Sequence, residues 1–119
     1  MSGREGGSSR KQYSPSHQDI DRRSLALHKL VAEKIRKNPE LFEIAKNNVV
    51  EWRKIKDRSQ KSYIDEWERI LESGVDAALE VVTEDASRAR RLRQSSPFAG
   101  VLTEEERLSF LKKWREGES

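Results

Sequence analysis

Apolar residues recur along this chain at the three-to-four-residue spacing of a helix face, not at the alternating spacing of a strand. Leu27, Val31 and Ile35 lie four apart with Leu30 beside them, and they predict a helix over about 20–36, capped by Asp19 or Asp21. Leu41, Ala45, Val49 and Trp52, widened by Ile44 and Ile55, predict a second over 39–56. Ile64, Trp67 and Leu71, with Tyr63 and Ile70 adjacent, predict a third over 63–73. Val75 to Val82 is short and apolar; no second strand exists to pair with it, so it reads as a helix offering Ala78, Leu79 and Val82 to the core. A fifth helix is expected over 84–94, and a sixth over 104–115 with Leu108, Leu111, Phe110 and Trp114 turned inward. Trp52 and Trp67 should be largely buried.

Start and stop signals divide these stripes. Asn38-Pro39-Glu40 combines a good N-cap, a proline suited to a first helical position, and an acid at the positive end of the helix dipole. The short link after Lys37 predicts that the first two helices form an antiparallel hairpin. Lys54 to Lys61 is polar and reads as a connection, and Ser62-x-x-Asp65 resembles a cap. Gly74 suits a turn with positive φ. Thr83 is expected to cap the fifth helix, with Glu84 and Asp85 in its first turn. The fold class is therefore all-α, a compact bundle of five to six short helices over residues 19–116. Residues 1–18 are rich in Gly and Ser with almost no apolar content, and they read as a disordered basic tail.

The least generic stretch runs from Arg93 to Glu106. Pro97 pushes Ser96 out of the helical region, Gly100 permits a positive φ, and Thr103-x-x-Glu106 is a capping-box pattern. Between these lies Phe98. The loop is thus specified, and Phe98 is either the apolar anchor of an interface or a plug in the domain's own core. Arg93, Gln94, Ser95, Pro97, Phe98 and Gly100 form the candidate partner-binding set.

Charge adds a second candidate. The first 37 residues carry nine Lys and Arg against four Asp and Glu, whereas residues 38–119 carry fifteen against seventeen. Within the second part, Arg88, Arg90, Arg91 and Arg93 crowd the end of one helix. Cations there complement the helix dipole, but four within six residues exceed that need, so a nucleic-acid-binding surface is the alternative. With 38% of residues charged, the core must be small. The chain has no cysteine, which excludes disulfides and thiolate metal sites. No apolar run approaches the roughly 18 residues that would span a bilayer, and no secretory h-region is evident.

No catalytic motif stands out: there is no Gly-rich phosphate loop and no metal-ligand spacing. His28 is read as a lone histidine lacking a carboxylate, Ser or Cys partner, a partly buried or surface helix residue and a poor catalytic candidate. Asn47 and Asn48 sit in mid-helix, either facing solvent or as buried amides with partners. No catalytic residue, metal or cofactor is expected. Leu25-Ala26-Leu27-His28, Val31-Ala32-Glu33-Lys34, Pro39-Glu40-Leu41, Trp52 and the run Leu92 to Leu102 are together similar to short all-helical bacterial proteins associated with toxin–antitoxin-like gene pairs. The similarity covers about residues 20–112. It implies a cytoplasmic, antitoxin-like protein that binds and neutralises a toxin-like partner enzyme, with DNA as a further partner if it represses its own operon. The basic N-terminus is not part of the pattern.

Overall fold

The computed structural model describes residues 17–55 and 61–117, and these form an all-α bundle of six helices. They are α1 (His17–Lys37), α2 (Phe42–Ile55), α3 (Lys61–Glu72), α4 (Val75–Val82), α5 (Ser87–Arg93) and α6 (Glu104–Arg115). A single 3-10 turn, Pro39–Leu41, joins α1 to α2. No helix among the described residues is long and apolar enough to cross a membrane. The expected disordered tail falls on residues 1–16, outside the described residues, while His17 and Gln18 already belong to α1. Most of the expected 54–61 connection, residues 56–60, also lies outside them.

The apolar stripes of α1, α2 and α3 face the core. Val31, Ala32 and Ile35 of α1 are buried, as are Phe42, Ala45 and Val49 of α2 and Ile64, Trp67, Ile70 and Leu71 of α3. On α2 the inward position is Phe42, not Leu41, because Pro39–Leu41 turns as a 3-10 segment and rotates the start of the helix. Asn38 makes no side-chain cap there; its backbone N–H closes α1 on Lys34 O at 2.9 Å. Trp67 is fully buried, but Trp52 is only half-buried and packs on the Tyr63 ring, 5.8 Å between centroids.

Four helix starts differ from the sequence expectation: α1, α2 and α3 begin at His17, Phe42 and Lys61, so that Ser62 lies inside α3 and does not cap it, and α5 begins at Ser87. Thr83 ends α4 instead of starting α5: its hydroxyl donates to Leu79 O at 2.7 Å, so it satisfies the preceding helix. Ala86, in extended conformation, then precedes α5, which is three residues shorter at its start than expected. Gly74 adopts φ +110° between α3 and α4, as its position suggested. At α6 the capping box is complete: Glu106 N donates to Thr103 Oγ1 at 3.1 Å and Thr103 N donates to the Glu106 carboxylate at 2.8 Å.

The expected α1–α2 hairpin does not form. The principal neighbour of α2 is α3, and α1 packs on α5 and α4. The space a hairpin would close is filled by the loop between α5 and α6. Phe98 stands between the rings of His28 from α1, Phe42 from α2 and Trp67 from α3, with centroid separations of 6.3, 6.4 and 6.0 Å.

Candidate functional site

The loop after α5 is held at every turn by side chains from helices distant in sequence. Ser95 N bonds back to Leu92 O at 3.1 Å as α5 ends. Asn48, in the middle of α2, donates from Nδ2 to Pro97 O at 2.7 Å and to Ala99 O at 3.0 Å. One amide nitrogen has two hydrogens, and each meets one carbonyl. A mid-helix Asn is mildly unfavourable in itself; here the two loop carbonyls explain its presence. Lys34 reaches from α1 to Val101 O at 2.9 Å and to Glu106 at 2.6 Å, tying the loop exit to the cap of α6. Gly100 takes φ +97°, where a Cβ would stand 3.6 Å from Ile44 Cγ2. Space is adequate there, so the backbone conformation is what calls for glycine.

His28 provides the third clamp. Its Nδ1 lies 2.8 Å from Ser24 O and its Nε2 2.8 Å from Ser96 Oγ. A carbonyl can only accept, so Nδ1 carries the proton and Nε2 accepts the Ser96 hydroxyl. The same Ser96 oxygen accepts Phe98 N–H at 3.2 Å. Burial holds the His28 imidazole below its ordinary pKa; the bond to Ser24 acts in the opposite direction, and the Arg93 charge adds to the lowering. The expectation that His28 lacks a serine partner is thus corrected: the partner is 68 residues away in sequence and could not be seen in local spacing. A Ser–His contact is one element of a nucleophilic site. Here Ser96 Oγ is also engaged in its own turn, and the pair fastens the loop to α1.

The six residues predicted to contact a partner divide. Gln94 and Gly100 are exposed and Ser95 is half-buried. Pro97 and Phe98 are buried, Phe98 to 3% exposure, and Arg93 to 5%. Phe98 is therefore a core residue whose ring has no face left for an interface, which corrects its reading as an anchor. Arg93 is not a rim residue: Nη1 donates to Val82 O at 2.9 Å and to Glu84 O at 2.8 Å, bracing the α4–α5 link from inside.

The arginine cluster is also divided. Arg91 meets Glu66 of α3 through both terminal nitrogens at 3.3 Å, and Arg88 reaches the same carboxylate at 3.4 Å. Arg91 first, then Arg88, holds the Glu66 carboxyl below its ordinary pKa, with burial opposing. Arg90 pairs with Asp85 at 3.2 Å and lies 3.9 Å from Asp21 of α1. Residues three apart lie on one side of a helix, so the four guanidinium groups leave α5 as two pairs, Arg88 with Arg91 toward Glu66 and Arg90 with Arg93 toward α1 and the α4–α5 link. They fasten α5 to α3, to α1 and to the α4–α5 link, and do not make a single row for phosphates.

α6 completes the site. It buries none of its residues, against the expectation that Leu108 and Leu111 pack inward. Leu108 is 51% exposed, and Leu111, Phe110 and Trp114 are half-buried. Phe110 and Trp114 stack on each other at 5.9 Å. Among the described residues no group of three or more His, Cys, Asp or Glu converges as a metal site would require. No protein-family model matches this chain, and no curated protein and no solved structure matches it either.

Proposed function

We propose that this chain is a protein-binding module of the antitoxin kind, which holds a partner enzyme through α6 and the exposed rim of the loop before it. The observation that carries this reading is α6 itself. The helix has four large apolar side chains and buries none of them, while α2, α3, α4 and α5 each bury several residues. Scattered surface leucines are ordinary, but four large apolar side chains on one helix, Leu108 exposed and the others half-buried, leave apolar surface of the kind a helix-in-groove interface uses. Its base is fixed by the capping box and by Lys34, so little order remains to be lost on docking. The resemblance of the sequence to proteins of toxin–antitoxin-like gene pairs supplies the class of partner.

The test is co-expression with the product of the adjacent gene, reading growth and complex formation together. Leu108→Glu should weaken the complex by about thirtyfold or more, as loss of an interface anchor does, and should melt like the parent chain. Absence of both complex and protection with the unaltered chain sinks the reading. The alternative, a DNA-binding regulator working through Arg88, Arg90, Arg91 and Arg93, is the weaker reading, because Arg93 is buried against backbone carbonyls and the other three already pair with Glu66 and Asp85 at the surface.

A further inference from the structure

The outward side of α6 has an order of its own. Glu106 bonds to Lys34 of α1, and Phe110 and Trp114 are half-buried, so these three mark the side turned to the domain. Leu108 lies on the opposite side and is 51% exposed. Residues four, three and four apart stay on one face of a helix. Glu104, Leu108, Leu111 and Arg115 follow that spacing, with Glu105 and Lys112 along one flank. All six are exposed except Leu111, which is half-buried.

Charge on this face is segregated. Glu104 and Glu105 stand at its start, Lys112 and Arg115 at its end, and the two leucines between them. Glu105, Lys112 and Arg115 make no ion pair among the described residues. Glu104 meets only the surface guanidinium of Arg107, at 3.1 Å. A second α6 laid on this face in the same direction would set acid on acid and base on base. Laid antiparallel, about a twofold axis between Leu108 and Leu111, it meets its complement. Glu104 then faces Arg115 of the second copy, and Leu108 faces Leu111. On the flank, Glu105 faces Lys112. Each contact occurs twice, as a twofold interface requires.

We propose that two copies of this chain pair through α6, antiparallel, when no other protein covers that helix. Four leucines make a small apolar centre, so the pair belongs with transient interfaces, with a dissociation constant of about 0.1 mM. The pairing shares its surface with the docking role of α6 but does not depend on it, because it is measured on the chain alone.

The experiment is sedimentation equilibrium of the full chain between about 10 µM and 1 mM, at low and at high salt. The parent chain should pass from monomer to dimer over that range, and less so at high salt, which screens the exposed ion pairs. Arg115→Glu and Glu104→Arg should each weaken self-association by about tenfold, because each sets like charges together twice in the pair. An equimolar mixture of the two variants should associate about as well as the parent, since acid again meets base at both ends. Melting of each variant as a dilute monomer reports separately on the fold. A parent chain that stays monomeric to about 1 mM overturns the proposal and leaves α6 to a different protein. Dimers indifferent to both reversals, assemblies larger than two, or a mixture no stronger than either variant alone overturn it as well. A dimer of this kind without a complex in co-expression sinks the partner reading and leaves the pairing standing.

Discussion

Replacing Phe98 by alanine should unfold much of the margin on which this domain stands. The ring is 97% removed from solvent and touches three other rings, one from each of α1, α2 and α3. Truncating a buried Phe to Ala typically costs about 3–5 kcal/mol, from lost burial and from the cavity that remains. The upper part of that range applies here. The neighbours are Trp67, Phe42 and His28, each held on a different helix, so none can collapse into the void without moving a backbone. Domains of this size have about 5–15 kcal/mol in total. A loss near 4 kcal/mol should lower the melting temperature by about 15 °C or more. Phe98→Leu keeps most of the volume and should cost only about 1–2 kcal/mol. The assay is a thermal melt followed by circular dichroism, with urea unfolding as a second measure. A Phe98→Ala chain that melts within about 3 °C of the parent would refute the assignment of this residue to the core. Partner affinity per folded molecule should be unaltered by the same change, which separates the core role from an anchor role.

Asn48→Asp removes both amide hydrogens and sets a carboxylate against two carbonyl oxygens, so it should destabilise more than Asn48→Ala, which should itself cost about 1–3 kcal/mol; faster hydrogen exchange at Val101 N–H would locate the effect in the loop, and equal stability of all three chains would show that the clamp is idle. For His28 the sign follows from its lowered pKa: the unfolded chain takes up a proton as pH falls through 6.5, the folded chain does not, and stability drops from there until the folded pKa is reached. That single group sets a limiting slope of about 1.4 kcal/mol per pH unit. A His28→Gln chain whose unfolding free energy keeps the same slope below that pH would place the dependence elsewhere.

The helices were legible because their causes are local. The i, i+4 stripe of Leu27, Val31 and Ile35 and the Thr103–Glu106 cap need only neighbouring residues to specify them, and α4 and α6 have the expected bounds. Thr83 was misplaced because a threonine can satisfy either the helix behind it or the one ahead, and only the Leu79 carbonyl decided between them. The clamps on the loop were not legible. Asn48, Lys34 and His28 meet Pro97, Val101 and Ser96 across 49, 67 and 68 residues, and no spacing rule links positions so far apart. Phe98 could be recognised as special in its loop, but not as core, since its three ring neighbours come from three separate stripes. The α6 pattern looked amphipathic enough to bury Leu108, yet the neighbouring core had already been filled from the loop side by Phe98 and Val101.

The position of Phe98 after all three of the helices it packs between has a kinetic consequence. Helical bundles usually fold fast because their contacts are local, while contacts between distant residues must first close long loops. Here the hydrogen bonds from Asn48, Lys34 and His28 that fix the loop span 49 to 68 residues. During synthesis, α1 to α4 emerge before the residue that fills the space between them, and Trp67 waits without one of its ring neighbours. A nascent chain at that stage has apolar surface that the later loop, with Phe98, covers. Completion of the core by the loop therefore comes before α6 is made, so α6 emerges onto a domain whose centre can already close.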